Sequence, residues 1–444
     1  MAESFHSVRL IASRCKGCVN CTKRCPTEAI RIRGGKAQII ESRCIDCGEC
    51  IRRCSSHAKT AVTDSLWDLA RYKINIALPA PTLYAQFAVE ISIETILGGL
   101  LRLGFDEVFE VAKGAEILSL PIKEYLSSKD TKKPAISSAC PAVVRLIQVK
   151  FPELIENLVP IDAPVEVAAR VARAEYSKKH HLHADEVGVW FITPCPAKMT
   201  ACKQPLGLEK SNITGAIAIS QIYGDLLKVL SQVNAKADYN AASWIGIGWA
   251  IAGGETAEIE DVKKLVVHEI NNVSNVLEQV SIGKLNDIDY IETLACAGGC
   301  IGGPLTVENR FVAETRMKQR MQKLKNEYQS AEDSLYRDYY HDVSEVNERR
   351  VIEPRPLMLL DENIFKAMDK VELIEITLKS LPGLDCGSCG SPNCKALAED
   401  IVQGRASETD CLFKLRERVR DLAQEMIGLA EKLPPPLDKE SAEE

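Results

Sequence analysis

The chain has 444 residues, of which 46% are hydrophobic, and a net charge of −7. That length exceeds one ordinary core and predicts two to four domains. The acidic balance and the lack of a long basic run exclude a nucleic-acid footprint, and no apolar run is long enough to span a bilayer. Met1-Ala2-Glu3-Ser4 has no charged head leading into an apolar stretch, so no signal peptide is expected. The expectation is a cytoplasmic protein with neither a membrane nor a nucleic acid as partner. There, closely spaced cysteines read as metal ligands before disulfides. Sixteen of the seventeen cysteines fall into four quartets, which leaves only Cys202, read as an inert thiol.

In chain order, residues 1–65 come first. Cys15-x2-Cys18-x2-Cys21-x3-Cys25-Pro26 is the bacterial ferredoxin run, and Cys44-x2-Cys47-x2-Cys50-x3-Cys54-Ser55 repeats it. Two-residue spacers let a tight loop offer three thiolates to one cubane, and the fourth thiolate of each run serves the other cluster. Cys15, Cys18, Cys21 and Cys54 are therefore assigned to one 4Fe–4S cluster, and Cys44, Cys47, Cys50 and Cys25 to the other. Zinc knuckles are the competing reading. Ser55 replaces the usual proline and predicts a slightly irregular second loop. Gly34-Gly35 marks a turn between short strands at Ala29–Ile32 and Ala37–Ile40.

Residues 66–308 alternate apolar runs with helical patterns. Ile74–Leu78, Val187–Ile192 and Ala216–Ile219 read as buried strands, and Ala163–Lys179 as a helix. The alternation predicts a parallel α/β architecture. Pro81 and Thr82, Cys140 and Pro141, Cys195 and Pro196, and Cys296 each follow an apolar run. Ligands of open α/β sheets bind at the carboxyl ends of strands, so four distant cysteines can meet in one buried site.

Ser137-Ser138-Ala139-Cys140-Pro141, Thr193-Pro194-Cys195-Pro196-Ala197-Lys198 and Glu292-Thr293-Leu294-Ala295-Cys296-Ala297-Gly298-Gly299-Cys300-Ile301-Gly302-Gly303 resemble, in order and spacing, the three signature motifs of iron-only (FeFe) hydrogenases. The resemblance covers roughly residues 1–310. It implies a six-iron H-cluster, with Cys140, Cys195, Cys296 and Cys300 holding a cubane. Cys300 would also bridge to a two-iron subsite carrying carbon monoxide, cyanide and an amine dithiolate. Gly299 and Gly302 would let backbone approach that bulky core. Lys198 would hydrogen-bond one cyanide. Ala80-Pro81-Thr82 resembles the family's Ala-Pro-Ser turn, so Pro81 would shape the pocket and Thr82 would serve a second cyanide. The bland alternatives are a surface lysine for Lys198 and a helix N-cap for Thr82.

The pattern departs from catalytic members at the proton route. They read Thr-Ser-Cys-Cys-Pro in the first motif, and the first of those cysteines relays protons; here Ala139 has nothing to titrate. The positions of the family's relay glutamates fall at Pro121-Ile122, after Gly114-Ala115, and that of its relay serine at Val159. The usual methionines over the two-iron site are Thr193 and Leu294 here. The metal site survives while the proton route does not. The resemblance is therefore to a sensory type that cleaves hydrogen slowly, lacks the relay cysteine and reports by electron transfer.

Residues 309–375 read as a helical linker. Met317, Met321, Leu324, Tyr328, Ala331 and Leu335 mark a long amphipathic helix, either a coiled-coil arm or a helix packed on the central domain. In residues 376–414, Cys386-Gly387-Ser388-Cys389-Gly390-Ser391-Pro392-Asn393-Cys394 with Cys411 resembles a small 4Fe–4S domain of redox proteins, with zinc as the competing occupant. In residues 415–444 a stripe runs through Leu415, Val419, Leu422, Met426, Leu429 and Leu433, beginning upstream at Leu412; Pro434-Pro435-Pro436 and an acidic tail end it. This a/d repeat predicts either a homodimer through the C-terminal helices or a helix folded back on its own domain.

The whole reads as a multidomain α/β protein: a ferredoxin-like two-cluster domain, a parallel α/β H-cluster domain, a helical linker and a small C-terminal 4Fe–4S domain with a heptad helix. Its expected cofactors are an H-cluster, two ferredoxin-type 4Fe–4S clusters and one C-terminal 4Fe–4S cluster. Its expected partners are hydrogen and protons, a redox or signalling protein, and maturation proteins that deliver the two-iron piece. The rival readings are an efficient hydrogenase with an unusual proton path and a non-catalytic iron–sulfur scaffold or electron-transfer protein.

Overall fold

In a computed structural model describing residues 5–233, 242–327, 351–355 and 360–432, the apolar run Ile74–Pro79 sits inside a four-stranded parallel sheet. The strand order is Glu107–Val108, Ile74–Pro79, Val187–Thr193, Gly215–Ala218. Ile76, Ala77 and Leu78 are fully buried, as is every residue of Val187–Thr193. Strands buried on both faces read as continuous apolar runs, which is why these were legible in the sequence. A second parallel sheet has the order Lys264–His268, Tyr290–Leu294, Ala135–Ile136. Helices flank both sheets, as parallel strands require. The expected mixed α/β architecture with parallel sheets is the observed one.

The chain divides into two compact units. One comprises 1–15, 24–29 and 40–357, and the other 16–23, 30–39 and 358–444. Within the first, the alanine-rich helix runs Pro164–His180, with proline at its first turn and His181 left-handed at its end. The helix Arg310–Glu327 settles the choice between arm and packed helix over its described part. Ala313 and Met317 are fully buried, and Leu324 is 8% exposed in the same apolar cluster as Ile96 and Leu226. Tyr328, Ala331 and Leu335 lie outside the described residues.

In the second unit, Ile30–Arg33 pairs antiparallel with Lys36–Ile39. Gly34 and Gly35 both have positive φ, the two-residue turn that matches strand twist. Helices follow at Ile364–Ser380, Cys394–Val402 and Leu412–Ala430, the first two capped by the side chains of Asn363 and Asn393. The heptad stripe is not folded back onto its domain: Leu412, Leu415, Val419, Leu422, Met426 and Leu429 are 41–70% exposed. Leu433, the proline run and the acidic tail lie outside the described residues. Among the described residues, no helix is long and apolar enough to cross a membrane.

Candidate functional site

Each central cysteine stands just beyond a strand end. Cys140 follows Ala135–Ile136, Cys195 follows Val187–Thr193, and Cys296 follows Tyr290–Leu294. Cys140 and Cys195 both occupy the N-cap position of a helix whose first residue is proline, Pro141 or Pro196. That position points free backbone amides and the positive end of a helix toward the sulfur. Cys300 opens the short turn Cys300–Gly302.

The four thiols meet. Burial first, then the charges of Cys300 and Cys296, push the Cys140 thiol up to about 11. Burial, then Cys296 and Cys140, push Cys195 up further. Burial likewise raises Cys296, against the pull of the Arg52 guanidinium. Cys140, Cys195 and Cys296, so buried, do not ionise unaided, whereas iron supplies the compensating charge. Lys198 Nζ lies 3.7 Å from Cys300 Sγ. Burial opposes its charge, but the four thiols outweigh that and hold the ammonium protonated. It is therefore no surface lysine.

A cavity adjoins these sulfurs, lined among others by Pro81, Thr82, Ala139, Lys198, Trp249 and Cys300. Of the four central cysteines Cys300 alone is partly exposed, so its sulfur is the one open to this space. Thr82 is fully buried, yet its Oγ1 has no hydrogen-bond partner, and neither has the Trp249 Nε1. Thr82 is no cap, because Ala80 holds the N-cap position of that turn. Buried donors without partners are rare and point to a missing acceptor. A soft four-thiol set, an open fourth sulfur and unpaired donors around a cavity fit an iron–sulfur cubane joined to a ligand-bearing metal group. Gly299 and Gly302 lie tightly against backbone. A Cβ on Gly299 would lie 2.7 Å from Ala252 N, and one on Gly302 would lie 2.2 Å from Ala297 O.

Residues 73–214 and 227–304 match the family "Iron only hydrogenase large subunit, C-terminal domain". Over these residues the chain belongs to the iron-only hydrogenase family. Residues 7–55 match a 4Fe-4S dicluster domain, and 381–413 match a domain described as a putative Fe-S cluster. Among curated relatives, the NADP-reducing hydrogenase subunit HndD of Solidesulfovibrio fructosivorans is 23% identical over 52% of this chain and 49% of its own length. Iron hydrogenase 1 of Clostridium pasteurianum is 24% identical over 49% and 46%. The periplasmic Fe hydrogenase large subunit of Nitratidesulfovibrio vulgaris is 26% identical over 68% and 86%. The chain thus spans about half the length of the first two. A variant of the FeFe hydrogenase HydA1 from Chlamydomonas reinhardtii shares the fold at TM-score 0.50 and 15% identity, over 66% of this chain and 98% of that one.

Ala139 lines the cavity. Pro121 and Ile122 are buried inside the helix Val111–Ser127, and Val159 is 1% exposed in the same apolar cluster as Ile122. The sequence reading missed two acids that line the cavity, Glu255 and Glu292. Glu255 accepts from Ser137 Oγ at 2.7 and 2.9 Å and from the Tyr290 hydroxyl. Glu292 accepts from Gly253 N at 2.8 Å and from Thr256 Oγ1 at 2.8 Å. Burial first, then the charge of Glu292, raises Glu255 well above the ordinary carboxyl range; burial raises Glu292 too. A glutamate inside the apolar run Tyr290–Leu294 was the available signal. Arg52 was also missed. It donates to Gly302 O at 2.6 Å and to Glu49, and its guanidinium reaches the Cys296 sulfur.

The ferredoxin-type repeats behave alike. Ala29 N donates to Cys25 Sγ at 3.2 Å, and Ala58 N to Cys54 Sγ at 3.1 Å; Thr27 and Ser56 hydroxyls lie near the same sulfurs. Ser55 thus leaves the second loop as regular as the first. Cys25, Cys44, Cys47 and Cys50 come together: burial and then Cys25, Cys50 and Cys44 raise the Cys47 thiol. Of the first quartet, Cys15 and Cys54 belong to one unit, and Cys18 and Cys21 to the other. Near the C-terminus, Cys389, Cys394 and Cys411 pack in one cluster, while Cys386 is exposed at the start of its loop. Cys202 is buried, donates to Ile213 O and is pushed up to about 12 by burial, as expected of an inert thiol.

Proposed function

We propose that this hydrogenase-like iron–sulfur protein cleaves hydrogen slowly and reversibly and passes the electrons to a partner, which makes it a hydrogen sensor. The observation that carries this reading is the contrast around one cavity. The thiols, Lys198, Thr82 and Trp249 are in place, while Ala139, Ile122 and Val159 offer a proton nothing.

Cys140, Cys195, Cys296 and Cys300 would hold the cubane, with the two-iron group beside Cys300. When bound, that group supplies the heterolytic cleavage of hydrogen. Lys198, Thr82 and Trp249 would donate to its anionic ligands and fix its orientation. Arg52 would hold the Cys296 sulfur and tie it to Gly302. With Ala139 inert, Glu255 is a buried group lining the cavity that can gain or lose a proton near neutral pH, because burial and Glu292 raise it. Ser137 and Tyr290 would hold that proton's acceptor at a fixed place. Positioned acid–base groups contribute roughly 10²–10⁴ in rate, so a substitute at a different place leaves turnover well below that of a built relay. Slow turnover suits a sensor, which must not consume its own signal. The electrons would leave through the 4Fe–4S clusters of the ferredoxin-type and C-terminal domains to a redox or signalling protein. Maturation proteins would deliver the two-iron piece.

A scaffold without the two-iron group leaves the Thr82 and Trp249 donors without purpose. Hydrogen oxidation and evolution rates, measured on fully matured protein, test the reading. Rates equal to those of efficient catalytic relatives would sink the sensor. Absence of infrared bands from metal-bound carbon monoxide and cyanide would sink the hydrogen chemistry altogether.

A further inference from the structure

The C-terminal cluster loop is not an appendage of its own unit. It is bonded to the hairpin Ile30–Ile39 and to the cysteine loop that precedes it. Asp400, 4% exposed, accepts from Arg31 Nε at 2.6 Å and from Arg33 Nη2 at 2.9 Å. Arg33 also donates through Nη1 to the Cys389 carbonyl at 3.0 Å and through Nη2 to Ser391 Oγ at 3.1 Å. Ile32 N donates to Gly390 O at 2.7 Å. The approach is so close that a Cβ on Gly390, whose φ is +82°, would lie 2.2 Å from Ile32 O. On the other side of the loop, Lys23 Nζ donates to the Asp385 carbonyl. Lys23 ends the helix Asn20–Lys23 that carries Cys21, and Asp385 directly precedes Cys386.

From Cys21 the chain thus runs two residues to Lys23, one hydrogen bond to Asp385, and one peptide to Cys386. The forked guanidinium of Arg33 adds a second tie, from the hairpin to Cys389. A carboxylate shared by two arginines inside a protein is an expensive device unless it fixes a geometry, because both charges must leave water. Its bidentate donors make that geometry stiff.

We propose that this junction is a built electron-transfer contact, in which Arg33 and Asp400 are positioning residues. It rests on the reading of both loops as 4Fe–4S sites. Cys18 and Cys21 would hold the donor cluster and Cys386, Cys389, Cys394 and Cys411 the acceptor, so that one electron passing across the junction would oxidise the first and reduce the second. No proton moves and no bond breaks. An external one-electron acceptor then takes the electron from the C-terminal cluster. Tunnelling falls steeply with separation, so a stiff tie between the two loops sets the rate. The C-terminal cluster is then the exit of the wire.

The test uses full-length, iron- and sulfide-replete protein reduced by dithionite. Electron paramagnetic resonance should show a signal of the C-terminal cluster broadened by a neighbouring spin. In Arg33→Ala and Asp400→Asn the broadening should be lost while iron and sulfide per chain stay unchanged, and the Ile32 amide should exchange with deuterium at least tenfold faster. Should Asp400→Asn fail to load, Arg33→Lys keeps the charge and loses the fork, and it should show the same loss. A native spectrum equal to the sum of isolated clusters, unaltered in Arg33→Ala, overturns the junction. A native chain that binds no iron at Cys386 to Cys411 overturns the cluster reading beneath it.

Discussion

Thr82→Val gives the sharpest test of whether the cavity is built for a metal group bearing hydrogen-bond acceptors. Valine has nearly the shape of threonine, so packing changes little. The Thr82 hydroxyl is fully buried and unpartnered. A buried donor left unsatisfied costs about 1–3 kcal/mol. In protein carrying its cubanes but made without maturation proteins, T82V should therefore stabilise by about 1–3 kcal/mol. On the proposed reading the hydroxyl would have an anionic acceptor in matured protein, and losing a bond to a charged group costs about 1.5–3 kcal/mol. The substitution should then destabilise, so its sign reverses between the two states. Each kcal/mol moves Tm by about 2–4 °C in a domain of 150–250 residues. Anaerobic melts of native and T82V protein, each with and without maturation at one scan rate, would resolve such shifts. A lower Tm for T82V in the immature protein, or the same shift in both states, refutes the assignment of Thr82 to a ligand.

Three further outcomes follow from the same geometry. Ala139→Cys restores a titratable group at the cavity, but Ile122 and Val159 beyond it stay apolar; hydrogen evolution should rise by less than about 10², short of the full range of a positioned acid. A gain near 10⁴ would show that the route is open. Glu255→Gln should lower turnover by about 10² and erase the alkaline limb of hydrogen evolution, which needs the protonated acid. The folded Glu255 lies above its ordinary 4.5, so the folded state holds the extra proton and stability declines as pH rises from there toward the folded value. Glu255→Gln should flatten that decline in urea titrations, and an unchanged pH profile of both rate and stability would remove Glu255 from the mechanism. Deleting residues 412–444 should lower the mass seen by light scattering, since the exposed a/d stripe would lose its helical partner; an unchanged mass would exclude pairing through this helix.

The fold was legible where chemistry repeats locally. Ile74–Pro79 and Val187–Thr193 announce themselves because a strand covered on both faces is apolar throughout. Cys140-Pro141 and Cys195-Pro196 announce a strand end, a thiol and a helix start in adjacent residues. The rest was hidden because it depends on partners far away in sequence. Glu255 meets Ser137 across 118 residues, and Arg33 meets Asp400 across 367. A lone glutamate or arginine in a sequence is most often a solvated side chain, and only packing decides otherwise. Trp249 looks like an ordinary core aromatic until it is found lining the cavity with its buried Nε1 unpartnered. The backbone lying against Gly299 comes from residues that no local pattern names, Ala252 among them.

Two arrangements in this chain pull the same way. At the cavity, Cys140, Cys195, Cys296 and Thr82 are buried around the half-exposed Cys300, while Ala139 beside them has nothing to titrate and Ile122 and Val159 belong to the apolar core. Within the other unit, Asp400 and two arginines hold the C-terminal cluster loop against the hairpin with bonds that have no counterpart in cleaving hydrogen. A protein selected for throughput gains from fast protons and needs no extra electron station. One selected to register hydrogen gains from a slow, reversible centre whose charge state is read elsewhere. On the proposed reading, the geometry of Asp400 would be as much a part of the function as that of Cys300, since a sensor whose redox state cannot leave the site reports nothing.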